Sequence, residues 1–357
     1  MDLGLVGLAN AGKTALFNLI TGGDALVAAY PYSTAEPTRG AADVPDPRLD
    51  AIADAQDIPR RVPAQVQVVD IAGLAAGGRE GPGRAALAQL REMDALVHVV
   101  RDFANAEVPH PLERLDPAED AAAVDLELIA ADRERAERRL ERLAKSARGG
   151  DAGARVEGDA LGAVVEGLDA GRPARLAPAE GRAAAAELGL LSAKPVLYLA
   201  DTDEPGPPPE PLAAHAAEQG AEAMALPVGV ELELAALDAD ETAELAAELE
   251  LGSERGAEAL VAAGYRLLDL VTFFTGSAPP EVRAWPVPRG TVASRAAGKV
   301  HSDMERGFIR AEVIPWDALV EAGSFARARE RALVRLEGRD YVVREGDVIE
   351  VRFNVSG

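Results

Sequence analysis

The sequence predicts an α/β protein: a parallel sheet, a helical hairpin inserted into it, and a small β-rich domain closing the chain. Three observations predict this. Short apolar runs at residues 3–6, 66–69, 95–100 and 196–200 have the unbroken hydrophobicity of strands covered on both faces, with helix-compatible stretches between them. Between the third and fourth runs lies a segment rich in Glu, Arg and Ala. From about Gly276 the texture shifts to short β-rich runs joined by Gly-Asp and Glu-Gly turns.

The first run, Leu3-Gly4-Leu5-Val6, reads as a buried strand, and residues 14–20 carry apolar side chains at helical spacing. Between them, Gly7-Leu8-Ala9-Asn10-Ala11-Gly12-Lys13-Thr14 matches G-x-x-x-x-G-K-[ST] in full. Glycines let the backbone wrap so that its N–H groups and the helix N-terminus face phosphates. Lys13 supplies a cation to the β- and γ-phosphates and the Thr14 hydroxyl a ligand for Mg²⁺. Asn10, Ala11, Gly12, Lys13, Thr14 and Ala15 are therefore the expected phosphate-side nucleotide-binding residues.

The run at 66–69 ends in Asp70-Ile71-Ala72-Gly73. An Asp at the end of a strand beside a phosphate loop can hold the Mg²⁺ shell, and the N–H of Gly73 can sense a γ-phosphate. Residues 30–38 supply hydroxyls where a switch loop would carry a threonine to the metal; Thr34 is the first candidate and Thr38 the second. The metal set is then Thr14, Thr34 and Asp70, with Lys13, Thr34 and Gly73 as the catalytic residues.

In the insert, Val124, Leu128 and Ala131, then Ala136, Leu140 and Leu143, recur at spacings of four and three. Glycines at 149–153 interrupt that helix and helix-compatible sequence resumes from about Val156, which predicts an antiparallel hairpin. A proline-rich stretch at 205–211 must be a surface loop. The closing β-rich runs fall at 282–285, 308–314, 341–343 and 348–353.

The chain has 357 residues, no Cys and a net charge of -23, which allows two or three domains, excludes disulfides, and argues against a broad, uniformly basic nucleic-acid surface unless the basic residues gather on one face. Its first residues lack a signal peptide's basic and long apolar regions, and no run reaches the roughly 18 apolar residues of a membrane span. A cytoplasmic monomer with no membrane or DNA contact is expected. Residues 276–357 hold 13 Lys+Arg and 12 Asp+Glu, so the net acidity lies in the rest of the chain.

These residues resemble the YchF subfamily of Obg-related, translation-factor-type P-loop NTPases. The likeness is carried by Tyr30-Pro31-Tyr32-Ser33-Thr34-Ala35-Glu36-Pro37, Pro45-Asp46-Pro47-Arg48-Leu49, Asp70-Ile71-Ala72-Gly73-Leu74, His98-Val99-Val100-Arg101, Arg306-Gly307-Phe308-Ile309-Arg310-Ala311-Glu312-Val313 and Gly338-Arg339-Asp340-Tyr341-Val342-Val343. It implies a G-domain (1–115 and 192–275), an inserted coiled-coil-like helical domain (116–191) and a β-grasp domain of the TGS type (276–357). It also implies Mg²⁺-dependent hydrolysis of ATP or GTP and a ribosome or other RNA-containing partner. Leu74 stands where many GTPases place a water-orienting Gln, so slow intrinsic hydrolysis is expected. Asn10 matches an Asn that K⁺-assisted relatives use, though a loop Asn making local turn hydrogen bonds reads as well; His98 matches a family His, and a packed histidine satisfied by one hydrogen bond is preferred there to a catalytic one.

At the base site the family carries N-x-x-E, and this chain reads Ala200-Asp201-Thr202-Asp203-Glu204. In that register Asp201, Thr202 and Glu204 are the base-side residues and Asp201 could accept from the adenine amino group. A slip by one makes Asp203 a guanine-type acceptor instead, and both registers stay open. Leu226-Pro227-Val228-Gly229 departs from the family's Ser-Ala-Lys-like turn. Gly77, Gly78, Gly81 and Gly83 make the loop after Asp70 a nucleotide-sensitive switch. The leading expectation is a ribosome-associated ATPase; the alternatives are a nucleotide-dependent binding switch with incidental hydrolysis, or a conventional GTPase.

Overall fold

The computed structural model describes residues 1–25, 37–74, 82–105, 107–249, 256–276 and 281–354. The chain opens with β1 (Asp2–Val6), α1 (Lys13–Thr21), β2 (Thr38–Val44), α2 (Pro47–Ala55), β3 (Arg60–Val62), β4 (Ala64–Asp70), α3 (Pro82–Glu92) and β5 (Ala95–Asp102). Helices α4 (Pro117–Arg148), α5 (Ala152–Asp169) and α6 (Ala179–Glu187) follow, then β6 (Val196–Thr202), α7 (Glu210–Glu218), β7 (Glu222–Leu226), α8 (Val228–Ala236), α9 (Ala239–Glu248) and α10 (Gly256–Leu267). The remainder is β8 (Leu270–Thr275), β9 (Glu281–Pro288), α11 (Ala293–Val300), α12 (Ser302–Arg306), β10 (Phe308–Pro315), α13 (Trp316–Ala322), α14 (Phe325–Glu330), β11 (Arg335–Glu337) and β12 (Asp347–Phe353). Contacts divide the chain into two compact units, residues 1–42 with 67–260 and residues 43–66 with 261–357.

The first unit is built on a six-stranded sheet of order β2-β4-β1-β5-β6-β7. Strand β1 pairs in parallel with β4 and β5, β5 with β6, and β6 with β7. The four apolar runs are thus the four central strands, where burial on both faces demands continuous hydrophobicity. Leu87 and Leu90 of α3, Leu128 of α4 and Leu212 of α7 pack with Leu96, Val100 and Tyr198 in one core. The phosphate loop emerges from the C-terminal end of β1, at the edge where open α/β sheets place their ligands.

The helical insert forms as the spacing predicts. Asp116 caps α4 by accepting from the N–H of Glu119 at 3.0 Å, with Pro117 in the first turn. The helix ends at Gly149, Gly150 takes φ 96°, and Asp151 caps α5 through the N–H of Ala154 at 3.1 Å. Helix α5 therefore starts at Ala152, four residues before the expected resumption, because a capping Asp can begin a helix inside a glycine-rich turn. The early part of α4 packs on the sheet through Ala121, Val124 and Leu128. Beyond it, Ile129, Ala136 and Leu143 pack against Ala154, Leu161 and Val164 of α5.

The second unit carries a sheet of order β11-β10-β12-β8-β9-β3. Val271, Phe273, Val287, Ala296, Phe308, Val313 and Ile349 form its core, under α11. Two features differ from expectation. Residues 341–343 are not a strand: only a bridge between Val342 and Val292 forms, and the backbone bonds to the 291–293 turn instead, since turns on either side leave no room for a ladder. The unit also begins at 261 and takes in residues 43–66, whose β3 pairs in parallel with β9. Arg48, on α2, pairs with Asp46 at 2.7 Å and Glu345 at 2.5 Å and lies 5.4 Å from the Phe274 ring centroid, so this segment is held by charge and cation–π contacts that no local pattern announces.

Candidate nucleotide site

The phosphate loop is shaped by close backbone approach. Gly7 has φ 153°, and a Cβ there would stand 2.2 Å from the carbonyl oxygen of Val99 on β5. Asn10 takes the left-handed region at φ 61° and its Nδ2 donates to the Pro109 carbonyl at 2.9 Å. Lys13, at the start of α1, is 7% exposed, and its Nζ donates to the carbonyls of Leu8 at 2.6 Å and Gly7 at 3.3 Å. Burial pushes its ammonium down to about 8, against the attraction of Asp70.

Beneath the loop, Thr14 Oγ1 donates to Asp70 Oδ2 at 2.6 Å. Burial raises the Asp70 carboxyl above its ordinary value, with the Thr14 hydrogen bond and the Lys13 charge opposing. Two adjacent hard oxygen donors suit Mg²⁺, which takes one or two protein groups and fills its octahedron with phosphate and water. Among the described residues no cluster of three or more His, Cys, Asp or Glu gathers elsewhere as a rival metal site. Gly73 lies flat on the loop: a Cβ there would be 2.7 Å from the backbone of Ala9. Leu74 is buried, and its N–H donates to the Gly7 carbonyl at 3.0 Å.

A cavity of about 550 Å³ opens beside the loop, bounded by Asn10, Gly12 and Ala15, by Phe103, Ala104, Asn105 and Val108, by Asp201, Thr202 and Asp203, and by the first turns of α8. Arg101 builds one wall. Buried at the end of β5, it donates to the carbonyls of Phe103 (3.1 Å), Val108 (2.8 Å) and Asn105 (3.1 Å), with its guanidinium 4.5 Å from the Phe103 ring centroid. Asp201 sits on the floor, 5% exposed, where Oδ1 accepts from the N–H of Val228 at 3.2 Å. Burial pushes its carboxyl up to about 7; the Val228 N–H opposes this, Asp203 adds to it, and Arg101 opposes it. Asp203 accepts from the N–H of Ala104 at 3.0 Å.

The structure therefore brings together Asn10, Ala11, Gly12, Lys13, Thr14, Ala15, Asp70, Gly73, Asp201 and Thr202. Thr34 and the glycines at 77, 78 and 81 lie outside the described residues; Thr38 begins β2. Glu204 is exposed and is not part of the cavity wall, while its carbonyl accepts from the Thr202 hydroxyl at 2.8 Å. His98 is buried in the core, its ring 5.0 Å from that of Tyr198, and neither ring nitrogen has a hydrogen-bond partner among the described residues. Burial pushes it down to about 4, which keeps it neutral.

Two groups escaped the sequence reading. Arg101 entered the sequence analysis only as the last residue of a family signature, with no role assigned to its side chain. His110 accepts at Nδ1 from the N–H of Leu112 (3.1 Å), so Nε2 carries the proton toward Asp120 Oδ2 at 2.6 Å. That pair borders a narrow crevice under Leu8, Ala9 and Ala11 of the loop.

The chain matches two family profiles: one described as a 50S ribosome-binding GTPase over residues 2–140, and the YchF-GTPase C-terminal family, described as a protein of unknown function, over residues 270–354. It is 40% identical over 360 residues to the ribosome-binding ATPase YchF of Pasteurella multocida, covering 99% of both chains. It is 39% identical to the Bacillus subtilis protein of the same name, covering 99% of this chain and 100% of the other, and 34% identical to Obg-like ATPase 1 of rice, covering 100% and 93%. The solved structure of the Schizosaccharomyces pombe YchF GTPase superposes with a TM-score of 0.83 at 29% identity, covering 99% of this chain and 97% of that one.

Proposed function

The chain belongs to the YchF family of P-loop NTPases, and from that premise we propose that it is a cytoplasmic, ribosome-associated NTPase that hydrolyses ATP to ADP and phosphate and acts as a nucleotide-dependent regulator. The observation that carries this reading is the convergence of Lys13, the Thr14–Asp70 pair and Gly73 on one phosphate loop, beside a cavity floored by Asp201. In the proposal Lys13 and the loop N–H groups bind the β- and γ-phosphates, and Thr14 and Asp70, with Thr34, hold Mg²⁺. The ion neutralises charge on the transferring phosphoryl group. The N–H of Gly73 follows the γ-phosphate, while Thr202 lines the base side of the cavity and Glu204, exposed outside its wall, would have to turn inward to take part. Monomeric action without DNA or membrane contact belongs to the same proposal.

ATP is favoured over GTP because the curated relatives above are named as ATPases. The Asp203 carboxylate is moreover already engaged by Ala104, which weakens the slipped, guanine-reading register. K⁺ is proposed as an additional ion through Asn10; equal hydrolysis rates in K⁺ and Na⁺ would remove it. A second reading, a binding switch with incidental hydrolysis, is favoured by Leu74, which is buried and has no polar side-chain atom to orient water.

Titration with fluorescent ATP and GTP analogues in Mg²⁺, followed by hydrolysis with and without ribosomes, tests the proposal. Tighter ATP binding and strong ribosome acceleration are expected. Preference for GTP would restore the conventional-GTPase reading, and binding without acceleration would leave the switch.

A further inference from the structure

The helical hairpin projects far beyond what the sheet needs. Ala131 is the last residue of α4 packed on the sheet core, and Arg148 lies 17 residues later, about 26 Å along the helix axis at 1.5 Å per residue. Beyond Leu128 the two helices bury apolar side chains against each other, with Leu143 and Ala154 near the far end.

Charge changes along this arm. Nearer the sheet three of four cations are matched: Arg133 pairs with Glu137 and Asp169, Arg138 with Glu134, and Arg139 with Glu157 through two bonds of 2.7 Å, while Arg135 donates to the Leu188 carbonyl. From Arg142 outward the pairing stops. Arg142, Lys145, Arg148 and, on α5, Arg155 are all exposed and none has an acidic partner among the described residues. Arg142 and Arg148 lay Nε on the carbonyls of Arg138 and Ala144, so their charged ends stay at the helix surface. At 100° per residue, positions 142, 145 and 148 fall within an arc of about 120° whose centre is opposite Leu143 and Ala136, the residues on the α5 seam; the exposed Glu141 shares that arc, which stays net positive with three cations to one carboxylate. In a chain of net charge -23, abundant acid was at hand to neutralise such a group.

We propose that the tip of this hairpin is an RNA-docking surface, in which Arg142, Lys145, Arg148 and Arg155 neutralise backbone phosphates of ribosomal RNA. The inference rests on the ribosome reading above and adds which surface makes the contact. Charge complementarity selects a polyanion. A membrane fits poorly, because the apolar stripe an interfacial helix would insert is consumed by the seam. Phosphate contacts of this kind position without reading sequence, so affinity should depend on salt and little on base composition.

The test compares the full chain with the triple variant Arg142→Gln, Lys145→Gln, Arg148→Gln, after checking that helicity by circular dichroism is unchanged. Two probes are used between 50 and 250 mM KCl: sedimentation with purified 70S ribosomes, and fluorescence anisotropy with a naked RNA duplex of about 20 base pairs. The expected result is that the wild type binds both and the variant loses roughly tenfold or more at physiological salt. The slope of log affinity against log salt should become shallower by roughly two to three, close to one per phosphate contact removed. Wild-type binding with an unchanged slope in the variant overturns the tip assignment and leaves the ribosome reading standing. Loss of ribosome binding in the variant, with no wild-type binding to the duplex, assigns the tip to an acidic protein surface and overturns the RNA commitment. A wild type that binds neither probe overturns both.

Discussion

Asp201 and Gly12 are in close apposition: a Cβ built on Gly12 would lie 2.1 Å from Asp201 Oδ2, and Gly12 itself has φ 92°. The side chain at the family's Asn position therefore lies between the phosphate loop and the Val228 N–H at the start of α8, as a strut joining the two walls of the cavity. An Asn in that place could both donate and accept; a carboxylate only accepts.

That strut makes stability depend on pH in a defined direction. The Asp201 carboxyl is pushed up to about 7 by burial, above the ordinary 3.8 it has in the unfolded chain. The folded state then holds more protons than the unfolded one between pH 4 and 7, so the group's contribution is complete below about pH 4 and is lost as pH rises through 7. The limiting slope is about 1.4 kcal/mol per pH unit. Asp201→Asn should remove this component, becoming more stable than the wild type at pH 8 by urea denaturation. Parallel pH profiles for the two proteins would refute it.

Lys13 yields a prediction about affinity. Because burial holds its ammonium near 8, the cation facing the phosphates is lost as pH rises from 7 to 9, and triphosphate binding should weaken by up to about tenfold per unit above pH 8. Lys13→Ala should bind at least a hundredfold more weakly and show no such dependence, consistent with the strength of charge-assisted phosphate bonds (~3 kcal/mol). Isothermal titration with a non-hydrolysable triphosphate checks both; a flat wild-type profile would count against the buried-lysine account.

Asp132 fixes the hairpin to the sheet. Fully buried on α4, it accepts from the N–H groups of Leu191 (2.8 Å) and Ser192 (2.7 Å) and from the Ser192 hydroxyl (2.7 Å), just before β6. Asp132→Ala would leave two buried N–H groups unpaired, at a cost of about 3 kcal/mol. Urea denaturation measures it, and a change under 1 kcal/mol would mean that solvent reaches those groups after all.

Periodicity and one spacing motif made most of this molecule readable in advance. Strands buried on both faces announce themselves as apolar runs, and a phosphate loop compresses its chemistry into eight consecutive residues, Gly7 to Thr14. The base side resisted because its geometry is assembled from three separate loops. Nothing local shows that Arg101 would hold the carbonyls of Phe103, Asn105 and Val108, or that Asp201 would turn toward Gly12 and Val228. The second unit's border was equally hidden, since β3 is only three residues long and its partner β9 begins more than 200 residues later.

That pairing has a bearing on how the chain is made. Strand β3 leaves the synthetic machinery early, but the β9 edge it joins at Glu281 is produced only after the whole nucleotide-binding unit and hairpin have been translated. Residues 43–66 must then wait, held in a loop, until their sheet exists, a long-range closure of the kind that slows folding. Nor does a fragment cut at 261 contain the finished module: without β3 it exposes the backbone edge of β9, and without Arg48 it leaves Glu345 lacking its guanidinium partner. An expression strategy that respects this topology keeps the two ends of the gene together.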